Sequence, residues 1–404
     1  MMSNETIELI GHIIDSWTLP RVWDIIMDRG GNFSVEEMRI GTHKTDPSYA
    51  RMKVEAPNDE VLELILSELM QFGAVLVQGN DAQTAKVEQH GVLPAKFYST
   101  TNLPTQVRLR GQWVEVEQIE MDVAVVVDRA HNRAFGKPMH DVEVGEEVVI
   151  GHDGIRVIPF ERARDREAFA FMQSNVSSEK VKVLAIHEIA RQMRETRIRK
   201  GKILFVLGPA VIHTGAGRYI VDLIRRDYIQ VIFGGNAIIT HDIESALFGT
   251  SLGVNLQSGE QVEGGHRNHL RAINAIRAIG SAEKAIESGL LKEGITYEVN
   301  KHGVKMVLAG SIRDDGPMPG VINDMQEAQN AMRKALPGVE MCIIVASMLH
   351  AIATGNLLPA TVRTVVVDIN PSVVTKLADR GSFQAAGLIT DAELFLRELA
   401  EALA

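Results

Sequence analysis

Ser347 and Asp368 are polar residues that each follow or end an apolar, β-branched run, Met341–Ala346 and Thr364–Val367. A turn at a helix N-terminus offers backbone N–H groups to a pyrophosphate, and an acid about 20 residues further on binds ribose hydroxyls. This spacing predicts a nucleotide site, and its candidate residues are Ser347, Met348, Leu349, His350 and Asp368. The G-x-G-x-x-G fingerprint is absent, so a plain core unit with a helix-capping serine is the alternative.

Other apolar runs in the C-terminal half also end in glycine or polar residues. Gly234-Gly235 precedes Asn236 and Ala237, and glycine lets a ligand approach the backbone while asparagine supplies a donor and an acceptor. Asp315 belongs to a carboxylate pair that could contact a ribose or a substrate ammonium, or lie in a solvated turn. Asp391 follows the last run and could bind the same ligand or cap a helix.

His241 and Asp242 follow the glycine pair, and we expect them where the next helix begins, with Glu244 beside them. Histidine titrates near neutral pH and could deprotonate an amine, as could a carboxylate such as Asp315. Asp242 could equally be a first-turn carboxylate favoured by the helix dipole. His266 and His269 resemble metal-ligand spacing only loosely, so no metal site is predicted.

The elements that must position these groups alternate buried strands with helices, which indicates a mostly parallel sheet covered on both faces. The candidate strands are Ile203–Leu207, Gln230–Phe233, Lys305–Ala309, Cys342–Ala346, Thr364–Val367 and Ala386–Ile389. Ligands of open α/β sheets bind beyond the carboxyl ends of the strands. The polar segments described above should therefore line one crevice, together with the segment HTGAG that begins at His213.

The N-terminal part has a different pattern. Residues 6–78 predict the order βαββαβ, a ferredoxin-like arrangement, and residues 80–160 predict a small antiparallel β unit. A helix is predicted over Ala168–Thr196. We therefore expect three domains: residues 1–80 (ferredoxin-like α+β), 81–165 (small and β-rich) and 166–404 (Rossmann-like, with a parallel sheet).

Composition excludes several classes of protein. The chain has 404 residues, a net charge of −10 and one cysteine. The acidic balance argues against binding to nucleic acid or to an anionic membrane, and one cysteine cannot form an internal disulfide. The N-terminus has no signal-peptide pattern, and no apolar run is long enough to span a bilayer. A cytoplasmic protein without membrane or nucleic-acid partners is expected.

Five long segments resemble the archaeal-type ornithine cyclodeaminase family, also called the LOR/SDH conserved-region family. They are GPAVIHTGAG, GGNAIITHDIESALFGTSLGV, GSIRDDGPMPGVINDMQ, VASMLHAIATGNLLP and VVVDINPSVVTKLADRGSFQAAGLITD. The resemblance implies a C-terminal NAD-binding domain of the deoxyhypusine-synthase-like type, and a homo-oligomer is expected.

The same resemblance implies conversion of L-ornithine to L-proline and ammonia, with a hydride passed to bound NAD and returned. It favours as NAD contacts Asn236, Ala237, Asp315, Ser347, Met348, Leu349, His350, Asp368 and Asp391. For the chemistry it leaves His241, Asp242 and Asp315 as candidates. Two alternatives stay open: an NAD-dependent amino-acid dehydrogenase of the saccharopine or lysine type, and a non-catalytic protein that senses NAD or an amino acid.

Overall fold

The computed structural model of the chain describes residues 3–14, 16–43, 46–77, 80–158, 179–256, 260, 262, 265–314, 316–379 and 385–404. The chain forms two compact units, Met1–Glu167 with Asn356–Thr361, and Ala168–Gly355 with Val362–Ala404. Among the described helices, none combines the length and the hydropathy needed to cross a bilayer.

The first unit begins with a four-stranded antiparallel sheet covered by two helices. Its elements are β1 (Ser3–Gly11), α1 (Thr18–Asp28), β2 (Asn32–Arg39), β3 (Ser48–Ala56), α2 (Asp59–Met70) and β4 (Val75–Leu76), and the strand order is β2-β3-β1-β4. Strand β3 alternates buried and half-buried residues, as a sheet with one covered face requires. Asn58 caps α2 by accepting the N–H of Val61 at 2.9 Å. The predicted ferredoxin-like order is confirmed.

A seven-stranded sheet completes the first unit. Its strands are β5 (Gln83–Lys86), β6 (Thr105–Leu109), β7 (Gln112–Glu117), β8 (Ala124–Asp128), β9 (Arg133–Lys137), β10 (Glu147–Ile150) and β11 (Ile155–Val157), with a 3-10 helix at Met139–Asp141. Their order is β11-β6-β7-β9-β8-β10-β5. The prediction of a purely antiparallel unit is wrong at one place, because β7 and β9 run parallel. The hairpin of β8 and β9 pairs with β7 through its second strand, which reverses the expected direction.

The second unit alternates helices and strands. It starts with α3 (Glu179–Ile198), β12 (Lys202–Leu207), α4 (Ala210–His213), α5 (Gly217–Arg225), β13 (Val231–Gly235) and α6 (Asn236–Phe248). It continues with β14 (Thr250–Ser251), β15 (Val254–Asn255), a 3-10 helix (Gly265–Arg267), α7 (Asn268–Ile279), α8 (Ala282–Glu287), α9 (Ile295–His302) and β16 (Lys305–Ala309). It ends with α10 (Met325–Ala335), β17 (Val339–Val345), α11 (Leu349–Leu357), β18 (Arg363–Asp368), α12 (Pro371–Asp379), β19 (Ala385–Ile389) and α13 (Ala392–Leu403).

Six of these strands form one parallel sheet in the order β16-β13-β12-β17-β18-β19. The expected parallel sheet is therefore confirmed. Its central strands are buried on both faces; in β12 all residues after Lys202 are buried. The chain first adds strands on one side of β12 and then returns to add β17, β18 and β19 on the other side. The boundary between β12 and β17 is thus the topological switch point, where ligands of such sheets bind.

The turns that follow β12 and β17 touch at this switch point. A Cβ atom on Gly208 would lie 1.6 Å from the carbonyl oxygen of Ala346, so no larger residue fits there. The N–H of Gly208 also donates to the carbonyl of Val345 at 2.9 Å. Ala346 itself has a φ of 51°, in the left-handed region that residues with a Cβ seldom adopt. Such an unusual backbone is held by its surroundings and is often found at ligand sites.

Candidate functional site

The predicted strand–helix–strand unit around Ser347 is present as β17, α11 and β18, and it lies directly beside the switch point. Ser347 is buried, whereas Met348 and Leu349 are 41% and 66% exposed. The N–H groups in the first turn of a helix such as α11 have no partner within the helix. The turn therefore combines a buried hydroxyl with backbone donors at the carboxyl edge of the sheet.

Asp368 ends the strand next to this turn. The pairing of Val345 with Val367 puts Asp368 level with Ala346 on a strand about 4.8 Å away. The Asp368 carboxylate is half-buried and accepts the N–H of Asn370 at 2.8 Å. Its second oxygen takes no part in this turn contact. Asp368 and Ser347 lie at the same edge of the sheet.

His350 connects this turn to the glycine pair at the end of β13. Its Cε1 atom lies 2.8 Å from the position that a Cβ atom of Gly235 would take, so a side chain at position 235 would displace the His350 ring. Burial lowers the pKa of His350, although a hydrogen bond to the carbonyl of Ala309 opposes that effect. The ring is therefore neutral at pH 7 and packs against the strand end from which Asn236 and Ala237 follow.

Asn236, Ala237 and Asp391 also lie at the carboxyl edge, each immediately or shortly after its strand. The Asn236 side chain is buried, and its Oδ1 accepts the N–H of Met318 at 2.8 Å; Ala237 is half-buried. Asp391 caps α13 by accepting the N–H groups of Glu393 and Leu394 at 2.8 and 3.2 Å. Asp315 lies outside the described residues.

A cluster of imidazole rings lies beyond β12 and β13, on the side of the switch point away from β17. The rings of His213, in α4, and His241, in α6, have centroids 4.6 Å apart and meet edge to face. The ring of His269 is 6.3 Å from that of His241. The Nδ1 atom of His213 lies 2.7 Å from Oγ of Ser251. The elements that carry His213 and His241 follow β12 and β13, so the cluster belongs to the carboxyl edge of the sheet.

The expectation that His241 stands where a helix begins is wrong. Helix α6 starts at Asn236, directly after the extended Gly235, so His241 lies more than one turn inside it. Position 241 therefore faces residues one turn further along the helix. Its Nδ1 atom is 2.8 Å from Oε2 of Glu244, three residues on.

Glu244 is completely buried, with a relative exposure of 0%. Its Oε1 atom accepts the hydroxyl of Thr250 at 2.9 Å, and Oγ1 of Thr250 accepts the side-chain amide of Asn268 at 3.0 Å. Burial by itself would raise the pKa of Glu244, but the hydrogen bonds from His241 and Thr250 outweigh burial and the pKa is lowered. The cluster thus contains a buried carboxylate that is ionised at neutral pH.

His213 has the opposite character. Its pKa is lowered to about 4, first by burial and then by the neighbouring His241. A histidine with this pKa is neutral at pH 7 and is a poor acceptor for the proton of an amine. Of these two rings in contact, His241 is the one with a carboxylate partner.

Asp242 points to a different part of the unit. Its two oxygens accept the N–H groups of Ile295 and Thr296 at 2.8 and 2.7 Å, at the start of α9. Burial raises its pKa, against the effect of these hydrogen bonds. Asp242 therefore caps a helix that is distant in sequence. Both of its oxygens are used in these contacts, which are not with His213 or His241.

The main groups that the sequence prediction left out are Glu244 as a partner of His241, His213 as its neighbour, and the pair Thr250 and Asn268. The three-residue spacing of His241 and Glu244 could have indicated the first contact. Among the described residues, no group of three or more His, Cys, Asp or Glu side chains is arranged to hold a metal ion.

Three sequence families match consecutive parts of the chain. Residues 4–103 match the LOR/SDH bifunctional enzyme conserved region. Residues 104–186 match the first region of the C-terminal part of arginine dihydrolase ArgZ-like proteins, and residues 187–399 match its Rossmann fold. The Rossmann assignment agrees with the six-stranded parallel sheet.

Individual proteins are similar over nearly the whole chain. An ornithine cyclodeaminase of Methanothermobacter thermautotrophicus is 51% identical over 98% of this chain and 96% of its own length. The apo structure of ArgZ, a cyanobacterial arginine dihydrolase, has a TM-score of 0.88 and 37% identity, covering 100% of this chain and 58% of that one. The ternary complex of AgrE with ornithine and NAD+ has a TM-score of 0.54 and 43% identity, covering 100% and 57%.

Proposed function

This chain belongs to the archaeal-type ornithine cyclodeaminase family, which carries the LOR/SDH conserved region, and on that premise we propose that it converts L-ornithine to L-proline and ammonia with bound NAD. The proposal extends to this chain the ligands of AgrE, which was solved with ornithine and NAD+. A small-molecule amino-acid substrate is consistent with the acidic chain, whose net charge of −10 disfavours polyanionic partners.

The residues at the switch point fit NAD. Gly208 leaves no space for a side chain, and a side chain on Gly235 would displace the His350 ring. Glycine at both positions keeps the backbone of the two strand ends within reach of a ligand. The first turn of α11 offers N–H groups suited to a pyrophosphate. Asp368, at the end of the adjacent strand, supplies a carboxylate of the kind that binds ribose hydroxyls in dinucleotide folds. The proposed set of contacts is completed by the buried Asn236 and Ser347, the exposed Met348 and Leu349, and Ala237, His350, Asp391 and Asp315.

Bound NAD supplies a hydride acceptor that holds the hydride during ring closure and then gives it back. Loss of the Cα hydride and of an amine proton converts ornithine to an imine. The δ-amine then attacks the imine carbon, and the original α-amine leaves as ammonia after it takes up a proton. Return of the hydride to the cyclic imine gives proline. The chain must therefore remove a proton from one nitrogen and deliver one to another.

One observation favours His241 for this proton transfer: its Nδ1 atom lies 2.8 Å from the buried carboxylate of Glu244. A carboxylate behind an imidazole stabilises the protonated ring and holds it in one orientation. We propose His241 as the base. Asp242, whose two oxygens accept N–H groups of α9, supports the helix, and Asp315 is kept as a nucleotide ligand.

The direct test is to incubate the purified protein with NAD and L-ornithine and to measure proline, ammonia and NADH together. The proposal expects proline and ammonia in equal amounts without accumulation of NADH. An NAD-dependent dehydrogenase would accumulate NADH, and a sensor protein would bind both ligands and release no ammonia. Either result would overturn the proposal.

A further inference from the structure

We propose that Glu244 is the positioning residue of this site: through a buried chain of hydrogen bonds it holds His241 with a proton on Nδ1, which leaves Nε2 as the nitrogen that accepts the substrate proton. The tautomer of His241 is assigned from contacts within the protein. The role of Glu244 in turnover rests on the proposed function, in which His241 is the base.

The directions of the hydrogen bonds determine where the proton lies. The ionised carboxylate of Glu244 can only accept, so the His241 Nδ1 atom, 2.8 Å away, must donate. A neutral imidazole has one N–H group, and the other nitrogen, Nε2, then carries a lone pair. The contact with Glu244 therefore selects one of the two tautomers of His241.

The remainder of the chain holds Glu244 in its place. The Thr250 hydroxyl has a single proton, which it donates to Oε1 of Glu244 at 2.9 Å. Its oxygen accepts the amide of Asn268 at 3.0 Å, which prevents the hydroxyl from turning away. The donors thus run in one direction, from Asn268 through Thr250 to Oε1 of Glu244. His241 contacts the other carboxylate oxygen, Oε2.

Burial makes this arrangement important for charge as well as for orientation. Glu244 and Thr250 have relative exposures of 0% and 2%, so water cannot replace a missing partner. A buried carboxylate without a partner is strongly unfavourable, whereas a protonated imidazole beside it forms an ion pair. Among the residues that the structure describes, the titratable groups in contact with the His241 ring are Glu244 from the same helix, His213 from α4 and His269 from α7. Glu244 is the anion of this set.

The first test reads the tautomer without any turnover. In protein labelled with 15N-histidine, long-range 1H–15N spectra distinguish Nδ1–H from Nε2–H, and the His241→Gln variant assigns the signal of His241. We expect Nδ1–H in the wild type. A wild-type His241 that is protonated on Nε2 instead would overturn the proposal, whether or not the protein turns over ornithine.

The second test measures turnover of ornithine with NAD in Glu244→Gln. We expect kcat to fall about 10- to 100-fold, the range found when a carboxylate that orients a metal-binding histidine is removed. The exposed Glu287→Gln on α8 is the matched control and should keep the kcat of the wild type.

Thr250 provides a milder pair of variants in case Glu244→Gln does not fold. Thr250→Val removes the hydroxyl with little change in shape, and Thr250→Ser keeps it. We expect the valine variant to lower kcat several-fold more than the serine variant. Equal kcat values in this pair, or an unchanged kcat in folded Glu244→Gln, would contradict the positioning role. If the wild type forms no proline, the proposed function is overturned. The 15N-histidine spectra alone then test the tautomer of His241.

Discussion

The Nδ1 atom of His241 lies 2.8 Å from Oε2 of Glu244, a carboxylate with no exposed surface. The two residues are one helical turn apart in α6, and the helix follows the strand β13 directly. The pair therefore lies at the carboxyl edge of the sheet. Because most residues in the first half of α6 are buried, water has little access to it. The base that we propose needs a partner for its charge in such a place, and the Glu244 carboxylate lies within hydrogen-bond distance of it.

His241→Ala should lower kcat for ornithine cyclodeamination by roughly 10²- to 10⁴-fold, because the amine proton loses its acceptor. The affinity for NAD should change little, since the proposed nucleotide contacts lie mainly around α11 and Asp368. Steady-state kinetics and NAD titration of the same preparation measure both. His187→Ala, an exposed histidine in α3, is the control. A near-normal kcat in His241→Ala would move the role of base to Asp242 or Asp315.

His213 should make stability depend on pH. Its pKa is about 4 in the folded protein against an ordinary value of 6.5. As the pH falls below 6.5 the unfolded chain takes up the proton first, so the contribution of His213 to stability is present above that pH and is lost as the pH falls towards 4.

Between about pH 7 and pH 5, these two pKa values would lower the free energy of unfolding by about 2 kcal/mol, and solvent screening of the half-buried ring reduces this to about 1 kcal/mol. The wild type should lose that much more stability over this pH range than His213→Gln. Urea unfolding at the two pH values measures this difference. The carboxylates that also titrate are common to both proteins and cancel in the comparison. Parallel curves for the two proteins would show that His213 does not have the lowered pKa.

Asp242→Ala should destabilise the second unit by about 2–4 kcal/mol, because two buried N–H groups, of Ile295 and Thr296, lose their acceptor. Asp391→Ala removes two comparable hydrogen bonds from an exposed helix cap and should cost only about 1 kcal/mol. Denaturant unfolding of the two variants gives the comparison. If Asp242→Ala is as stable as the wild type but has lost turnover, Asp242 acts in the chemistry instead.

Asp368→Ala should weaken NAD binding by about 1.5–3 kcal/mol, since a charge-assisted hydrogen bond to a ribose hydroxyl is lost. Isothermal titration with NAD measures the change, and circular dichroism establishes that the variant is folded. An unchanged affinity in a folded variant would remove Asp368 from the nucleotide site and with it the proposed role of the β17–α11–β18 unit.

Periodicity was sufficient to predict the order of elements in the ferredoxin-like part and the strands of the parallel sheet. The start of α6 was missed for a physical reason. Residues on almost all sides of its first half are buried, so no amphipathic stripe distinguishes the helix from its surroundings. The strand β13 also continues through Gly234 and Gly235, which by their residue type suggest a turn.

The partners of the site residues could be predicted only where they are close in sequence. Glu244 is within one turn of His241, and its spacing carries the signal. Asp242 and Ile295, or Thr250 and Asn268, are brought together by the packing of different helices, and nothing in the local pattern of either segment indicates the other. Their roles depend on tertiary structure.

In the proposed reaction, the hydride taken from ornithine is returned to the same molecule while the cofactor stays bound. L-Ornithine deuterated at Cα, incubated with the protein and unlabelled NAD, tests it most directly by mass spectrometry of the proline formed. We expect proline that retains the deuterium at C2, with no accumulation of NADH. Proline that has lost the label, or labelled NADH that builds up in solution, would contradict it.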